Sequence, residues 1–256
     1  MGKTICVVNQ KGGVGKTSVT IELAASLTDL DYKVLVVDLD QQSNISFYTS
    51  LSTPIKNTIW EVLNAECLTE DAIIPGKYYD FIPASKALSK SEVAFSGADA
   101  VYCLSDVLQD VKSVYDYIII DTNPARNILL NMSYIASDGA VLVTEADKGS
   151  IEGLLEIIKD IKAMQNSRHI KTNVTIAGFV LNKMENTVMH HMAVETLKEI
   201  KEEQKLDDAF IISVRKTIKM SECKEHELPL QAYAHFSDAA MDFRRIADAI
   251  SEREIK

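Results

Sequence analysis

Short β-branched apolar runs alternate along the chain with segments whose apolar positions recur every three or four residues. The runs predict strands over residues 3–9, 33–38, 79–82, 116–121, 140–144, 173–181 and 209–213. The spaced positions predict helices. Val19, Leu23, Leu27 and Leu30 mark the first, and Ile151, Leu154, Leu155, Ile158 and Ile161 another. Met192, Ala193, Leu197 and Ile200 mark a third, and Phe236, Ala240, Phe243, Ile246, Ala247 and Ile250 the last. Strands that do not alternate with polar residues are apolar on both sides, so helices must cover both. The pattern predicts an α/β fold: a mostly parallel twisted sheet of about seven strands with helices on both faces. No internal repeat or low-complexity linker interrupts it, so residues 1–256 read as a single domain. The least regular stretch, 43–96, predicts loops with short helices.

Composition narrows the class without naming a function. At 256 residues, 46% hydrophobic and 25% charged, the chain can bury one substantial core. No apolar stretch approaches the roughly 20 residues that span a bilayer. The chain enters a strand at once, which leaves no room for a signal peptide, so a cytoplasmic protein is expected. Cys6, Cys67, Cys103 and Cys223 are scattered without metal-ligand spacing and read as buried free thiols in a reducing compartment. A net charge of −10 excludes a surface coated in nucleic acid, so any DNA contact must come from a local patch.

The candidate chemistry begins directly after the first strand, where residues 11–18 read Lys-Gly-Gly-Val-Gly-Lys-Thr-Ser. Gly12, Gly13 and Gly15 allow backbone N–H groups, including that of Val14, to converge on phosphate oxygens. The helix that opens at Lys16, Thr17 and Ser18 adds the positive end of its dipole. Lys16 can reach the β- and γ-phosphates of a nucleotide, and the Thr17 hydroxyl can ligate Mg²⁺. The common motif G-x-x-x-x-G-K-[ST] would begin at position 10, which is Gln10 here. This is the deviant form, in which a second lysine, Lys11, precedes the glycines and takes over part of the work.

In open parallel sheets ligands sit at the carboxyl ends of the strands. Two further strand ends carry carboxylates: Asp38-Leu39-Asp40-Gln41-Gln42-Ser43-Asn44 and Asp121-Thr122-Asn123-Pro124. Asp121 is placed to hold Mg²⁺ through a water molecule. Asp40 is placed either to orient an attacking water or to support the metal shell. Phosphoryl transfer to water asks for positioning and charge neutralisation rather than covalent chemistry.

These motifs, in this order, resemble the ParA-type partition ATPases of the deviant Walker-A group, which also holds the MinD regulators and the nitrogenase iron protein. The resemblance runs nearly end to end, through Gly178-Phe-Val-Leu-Asn182-Lys, Val214-Arg-Lys-Thr-Ile-Lys-Met-Ser221 and Leu228-Pro229-Leu230. It implies ATP and ADP as ligands, Mg²⁺ as cofactor, and slow hydrolysis by an ATP-bound sandwich homodimer. Lys11 would then cross to the partner's phosphates, Asp40 would promote hydrolysis, and Asn182 would approach adenine. The family's dimers bind non-specific DNA, associate with the nucleoid, and let go when a ParB-type centromere-binding protein stimulates hydrolysis. The chain departs from the family at Gln41, Asn123 and Arg215, where proline is usual.

Arg168, Lys171, Arg215, Lys216 and Lys219 are the candidate DNA contacts, with Arg244 and Arg245 weaker ones. Without a basic surface, the alternative is a ParA-like ATPase that positions a protein cargo, a transfer complex or a polysaccharide machine. A MinD-like membrane role needs a basic, bulky amphipathic terminus, and residues 244–256 have mixed charge instead. A nitrogenase-type role needs cluster-holding cysteines in matching contexts, which Cys103 and Cys223 lack. His190 and His191, adjacent on a helix, diverge too far to share a metal and read as helix surface. Tyr78, Tyr79 and Trp60 read as packing residues.

Overall fold

Ile5, Cys6, Val7 and Val8 are all fully buried, and successive residues of a strand face opposite sides, so both faces of the sheet must be covered. The computed structural model describes residues 2–42, 45 and 55–252. Ser43, Asn44 and the terminal residues 253–256 named above lie outside the described residues.

Among the described residues, seven strands pair in the order β3-β2-β4-β1-β5-β6-β7, every pairing parallel. They are β1 (Lys3–Val8), β2 (Val34–Asp38), β3 (Asp80–Ile82), β4 (Tyr117–Asp121), β5 (Gly139–Thr144), β6 (Thr175–Met184) and β7 (Phe210–Arg215). The helices are α1 (Lys16–Thr28), α2 (Ile59–Leu63), α3 (Ser91–Ala94), α4 (Cys103–Gln109), α5 (Ile128–Ala136), α6 (Lys148–Gln165), α7 (Val188–Glu203), α8 (Lys219–Glu225), α9 (Leu230–Tyr233) and α10 (Asp238–Ser251). Ile5, Val7 and Ile119 join an apolar cluster with residues of α1 and α10. Cys6, Val8 and Ile120 join the opposite cluster with residues of α4, α5, α6 and α7. Among its described residues the irregular stretch holds α2, α3 and β3, with 3-10 turns at Thr69–Ala72 and Lys86–Lys90.

The helix faces differ from the sequence reading. α1 is enclosed from Val19 to Leu27 on all sides, because the sheet and α10 sandwich it; Leu30 falls beyond its end. Leu155 and Met192 are 40% and 60% exposed, with Ile157 taking the buried place on α6. Phe236 precedes α10 and is 92% exposed. Leu155 and Met192 each sit one position off a buried stripe that spacing alone defines only to within a residue, whereas Phe236 lies before the helix begins. Of the four free thiols, Cys6 and Cys223 are buried, whereas Cys67 and Cys103 are only partly covered. Trp60 packs edge-on against Phe95, and Tyr79 is buried.

Parallel pairing collects all seven carboxyl ends on one rim, called upper here. The Gly2 N–H bonds to Lys112 O at the lower rim, beside the start of β1. α10 descends from the upper end of β7, where Arg215 binds Asp242, to the foot of α1, where Arg244 pairs with Asp29. The start of the described chain therefore lies on the lower rim.

Candidate nucleotide site

β1 stops at Val8, and the chain turns through residues 9–15 into α1. Gly13 and Gly15 have φ of 83° and 92°, the left-handed region that strains any residue with a side chain. Gly15 is fixed twice over, since a Cβ there would lie 2.2 Å from Asn182 Nδ2. At Gly12 and Gly13 a Cβ would meet nothing within 4 Å, so the loop opens onto free space. α1 begins without a side-chain cap and without an acidic residue in its first turn. Its leading N–H groups are thus left for an anion.

The loop is braced from behind. Asn182 Nδ2 donates to Val14 O at 2.9 Å, and Lys183 Nζ donates to Gly13 O at 2.8 Å. Asn9 Oδ1 accepts from the Lys11 N–H at 2.7 Å, while its Nδ2 donates to Val143 O at 2.5 Å. Carbonyls held on the outer side leave the amide side of the loop for phosphate.

Carboxylates crowd the β2–β4 flank. Asp38 and Asp121 are register partners at the ends of their strands, and both are buried. Thr17 Oγ1 donates to Asp121 Oδ2 at 2.7 Å, and Thr20 Oγ1 donates to Oδ1 at 3.2 Å. Burial pushes the Asp121 carboxyl up to about 7, against the Thr17 hydrogen bond and the Lys16 charge. Burial, then the Asp121 charge, raises Asp38 well above the usual carboxylate range. Asp40 is partly exposed; its N–H donates to Asp38 Oδ1 at 2.9 Å, and its own Oδ1 accepts from the Gln42 N–H. Lys16 is 7% exposed, and burial lowers its pKa against the pull of Asp121 and Asp40.

Across the loop, the β5–β6 flank is already neutralised. Lys11 Nζ pairs with Asp147 Oδ1 at 2.7 Å, and Asp147 also caps α6 by accepting from Ser150 N and Oγ. Partial burial works to raise the Asp147 carboxyl, but Lys11 and Ser150 bring it down to about 2. Lys183, at φ 55°, pairs with Glu145 Oε1 at 2.6 Å.

Beside the loop lies a cleft of about 220 Å³, lined by Gly15, Ser18, Asn182, Arg215, Thr217 and Ser221, among others. Arg215, the departure from proline, ties β7 to α10: Nε lies 2.7 Å from Asp242 Oδ2, and Nη1 lies 2.8 Å from Asp238.

Lys11, Lys16, Thr17, Asp40, Asp121, Asn182 and the three glycines all gather at one place on the upper rim. The basic candidates do not. Arg215, Lys216 and Lys219 follow the upper end of β7, with Lys216 paired to Glu185, whereas Arg168 and Lys171 precede the lower end of β6. His190 and His191 bond to Thr187 and Asn186 at the exposed start of α7. Sequence reasoning assigned no role to Asp38, Asn9, Asp147, Glu145 or Lys183. Asp38 was within reach, as a strand-end aspartate two residues before Asp40, and Asp147 as a helix cap; the pairings of Asn9 with Val143, Lys11 with Asp147 and Lys183 with Glu145 and Gly13 span distances that leave no local trace.

A family model described as an AAA domain matches residues 2–176. The chromosome-partitioning ATPase Soj of Treponema pallidum is 29% identical over 99% of both chains. The sporulation initiation inhibitor protein Soj of Bacillus subtilis is 27% identical over 98% of this chain and 99% of its own. Among solved structures, the septum site-determining protein MinD of Pyrococcus horikoshii, complexed with Mg-ADP, superposes with a TM-score of 0.80. It is 22% identical and is matched over 98% of this chain and 97% of its own.

Proposed function

The chain belongs to the AAA domain family, as a ParA-type P-loop ATPase, and from that premise we propose a nucleotide-switched homodimer. Mg²⁺ and ATP complete the site, two copies close over it, and hydrolysis to ADP reopens them. The carrying observation is the contrast between the two lysines. Lys16 is enclosed at the foot of the loop, whereas Lys11 extends along the exposed rim to Asp147. A lysine on the rim can reach a second copy's phosphates once it exchanges Asp147 for them.

Lys16, Thr17 and the N–H groups of residues 12–15 hold the phosphates. The Thr17 hydroxyl and the Asp121 and Asp40 carboxylates form a hard oxygen set suited to Mg²⁺, and their crowding supplies the negative charge that a divalent ion relieves. An ion held by these oxygens would supply the charge neutralisation that phosphoryl transfer requires. Asp40, the partly exposed member of the three, orients the attacking water from a turn anchored on Asp38. Asn182 borders the adenine-side cleft. Arg215, which lines that cleft, is engaged by Asp238 and Asp242 and is not free to act on the phosphates, which fits a slow intrinsic turnover.

The ATP dimer binds DNA without sequence preference in the cytoplasm, on the nucleoid, and is released when a ParB-type partner stimulates hydrolysis. Lys216 and Lys219, on the same rim as the phosphate loop, support this reading. A second reading, a cargo-positioning ATPase without DNA, is favoured by the net charge of −10 and by the neutralisation of Arg215. A DNA titration with ATP and with ADP at two salt concentrations tests the pair. ATP-dependent, salt-sensitive binding is expected. An ATP dimer that ignores DNA at low salt would turn the assignment to cargo positioning.

A further inference from the structure

The segment after β7 walls the base-side cleft, and one buried carboxyl grips it from beneath. Glu22 lies in the middle of α1 and is fully enclosed. Both of its oxygens stand 2.9 Å from the Leu230 N–H, and the Gln231 N–H also donates to it. One turn along α1, Ser26 Oγ accepts from Gln231 Nε2, which also donates to Ala240 O in α10. α1 therefore presents the phosphate loop at its head and holds the 228–231 segment at its waist. That segment follows α8, whose Met220 and Ser221 line the cleft with Thr217.

A neutral amide would spare the core a buried charge but would hold the same N–H groups more weakly than a carboxylate does. Burial pushes the Glu22 carboxyl up to about 8, with the Leu230 and Gln231 N–H groups pulling it back. The titratable groups around it are few. On α8 the Cys223 thiol is pushed up to about 12, by burial first and then by Glu22; Glu222 and Lys219 also act on that thiol. On α9, Tyr233 donates to Glu222. On α10, Asp242 is bonded to Arg215 and Arg245, and Arg244 to Asp29 and Asp248.

We propose that Glu22 is a positioning residue for the base-side cleft: its charged form grips the strap through Leu230 and Gln231, and its protonated form lets the strap loosen. The proposal rests on reading that cleft as the base site, and adds a proton-linked control to it. Base-dependent affinity then rises with pH through the region around 8. Folding stability moves the other way. Unfolded Glu22 ionises near 4.5 but folded Glu22 only near 8, so its contribution is lost as pH rises between the two. A residue retained for stability alone would not combine those signs.

The test uses the full chain and Glu22→Gln, with Mg²⁺, a fluorescent ATP analogue and inorganic triphosphate, at about pH 6.5 and about pH 9. The readout is the ratio of nucleotide to triphosphate affinity, which cancels effects on the phosphate side. In the unaltered chain the ratio is expected to rise on the order of tenfold between the two pH values. In Glu22→Gln it stays flat at the low-pH value, while the variant's Tm at the higher pH exceeds that of the unaltered chain. The same pH-dependent ratio in both proteins overturns the proposal. Equal affinities of the unaltered chain for nucleotide and triphosphate overturn the base-site reading itself, and the proposal with it. Carbon NMR of the unaltered chain needs no variant. A Glu22 carboxyl titrating near 8, with the Leu230 amide shift following it, supports the proposal, and a midpoint below about 5 overturns it.

Discussion

On the β2–β4 flank of the phosphate loop, three aspartates crowd one lysine; on the β5–β6 flank, Lys11 meets Asp147 and Lys183 meets Glu145. Burial sets the first flank apart: it pushes two of the carboxyls toward protonation and, against the pull of Asp121 and Asp40, the lysine toward neutrality. The second satisfies itself. A ligand can gain binding energy on the first flank by supplying the missing positive charge, whereas on the second an existing pair must open before anything new forms. The loop thus joins a side that waits for a ligand to a side that resists rearrangement.

The sharpest way to break this contrast is to remove the lysine of the first flank. Lys16→Ala should weaken ATP binding on the order of a hundredfold, since it deletes a charge-assisted contact to phosphate and leaves the aspartates unopposed. Calorimetric titration checks it, and near-normal affinity would remove Lys16 from the phosphate site. Asp40→Ala should lower turnover on the order of a hundredfold while ATP stays bound, leaving a trapped dimer. Phosphate release beside size-exclusion chromatography reads both quantities, and full turnover would exclude Asp40 from the mechanism.

Asp121 sharpens the comparison through pH. Its folded pKa, about 7 against an ordinary 3.8, means that nucleotide-free stability falls as pH rises between those values. Asp121→Asn should therefore gain up to about 4 kcal/mol of that loss at pH 8, seen as a higher Tm in metal-free buffer. It should also lose the stabilisation that Mg²⁺ with ATP gives the unaltered chain. A Tm that is unchanged, or lower, would show that the carboxyl is not strained.

The compensated flank should respond least to a single change. Asp147→Ala removes a partly exposed pair together with the α6 cap and should cost about 1–2 kcal/mol. Because it frees Lys11, ATP-dependent dimers should form more readily, by light scattering. Lys11→Ala should bind ATP within roughly threefold of normal, since rim charges contribute little to binding in the same copy. It should nevertheless form no dimer, and a normal dimer with ATP would sink the cross-subunit role.

How much of this could be read from the chain depends on the distance over which each contact acts. The strands were legible because a strand buried on both faces must be apolar throughout, and the observed strands fall within three residues of the expected ones. The meeting of Thr17 with Asp121 was legible too, because loop and carboxylate both end strands of one parallel sheet. Helix faces were less so: in α1 every side packs, and spacing alone cannot describe a helix with no exposed stripe. The ties of the β5–β6 flank join residues 38 to 170 positions apart, and Glu22 reaches a partner 208 positions away. Such contacts depend on how the strand ends meet in space, which no local pattern records.

The descent of α10 to the lower rim has a practical side. Gly2 sits a strand's length, roughly 20 Å, from the phosphate loop, and Arg244 holds α10 to the far end of α1. A fluorophore or surface tether attached at Gly2 would leave the whole upper rim facing solution. Single-molecule recordings of two copies meeting could then be made without the label standing between them.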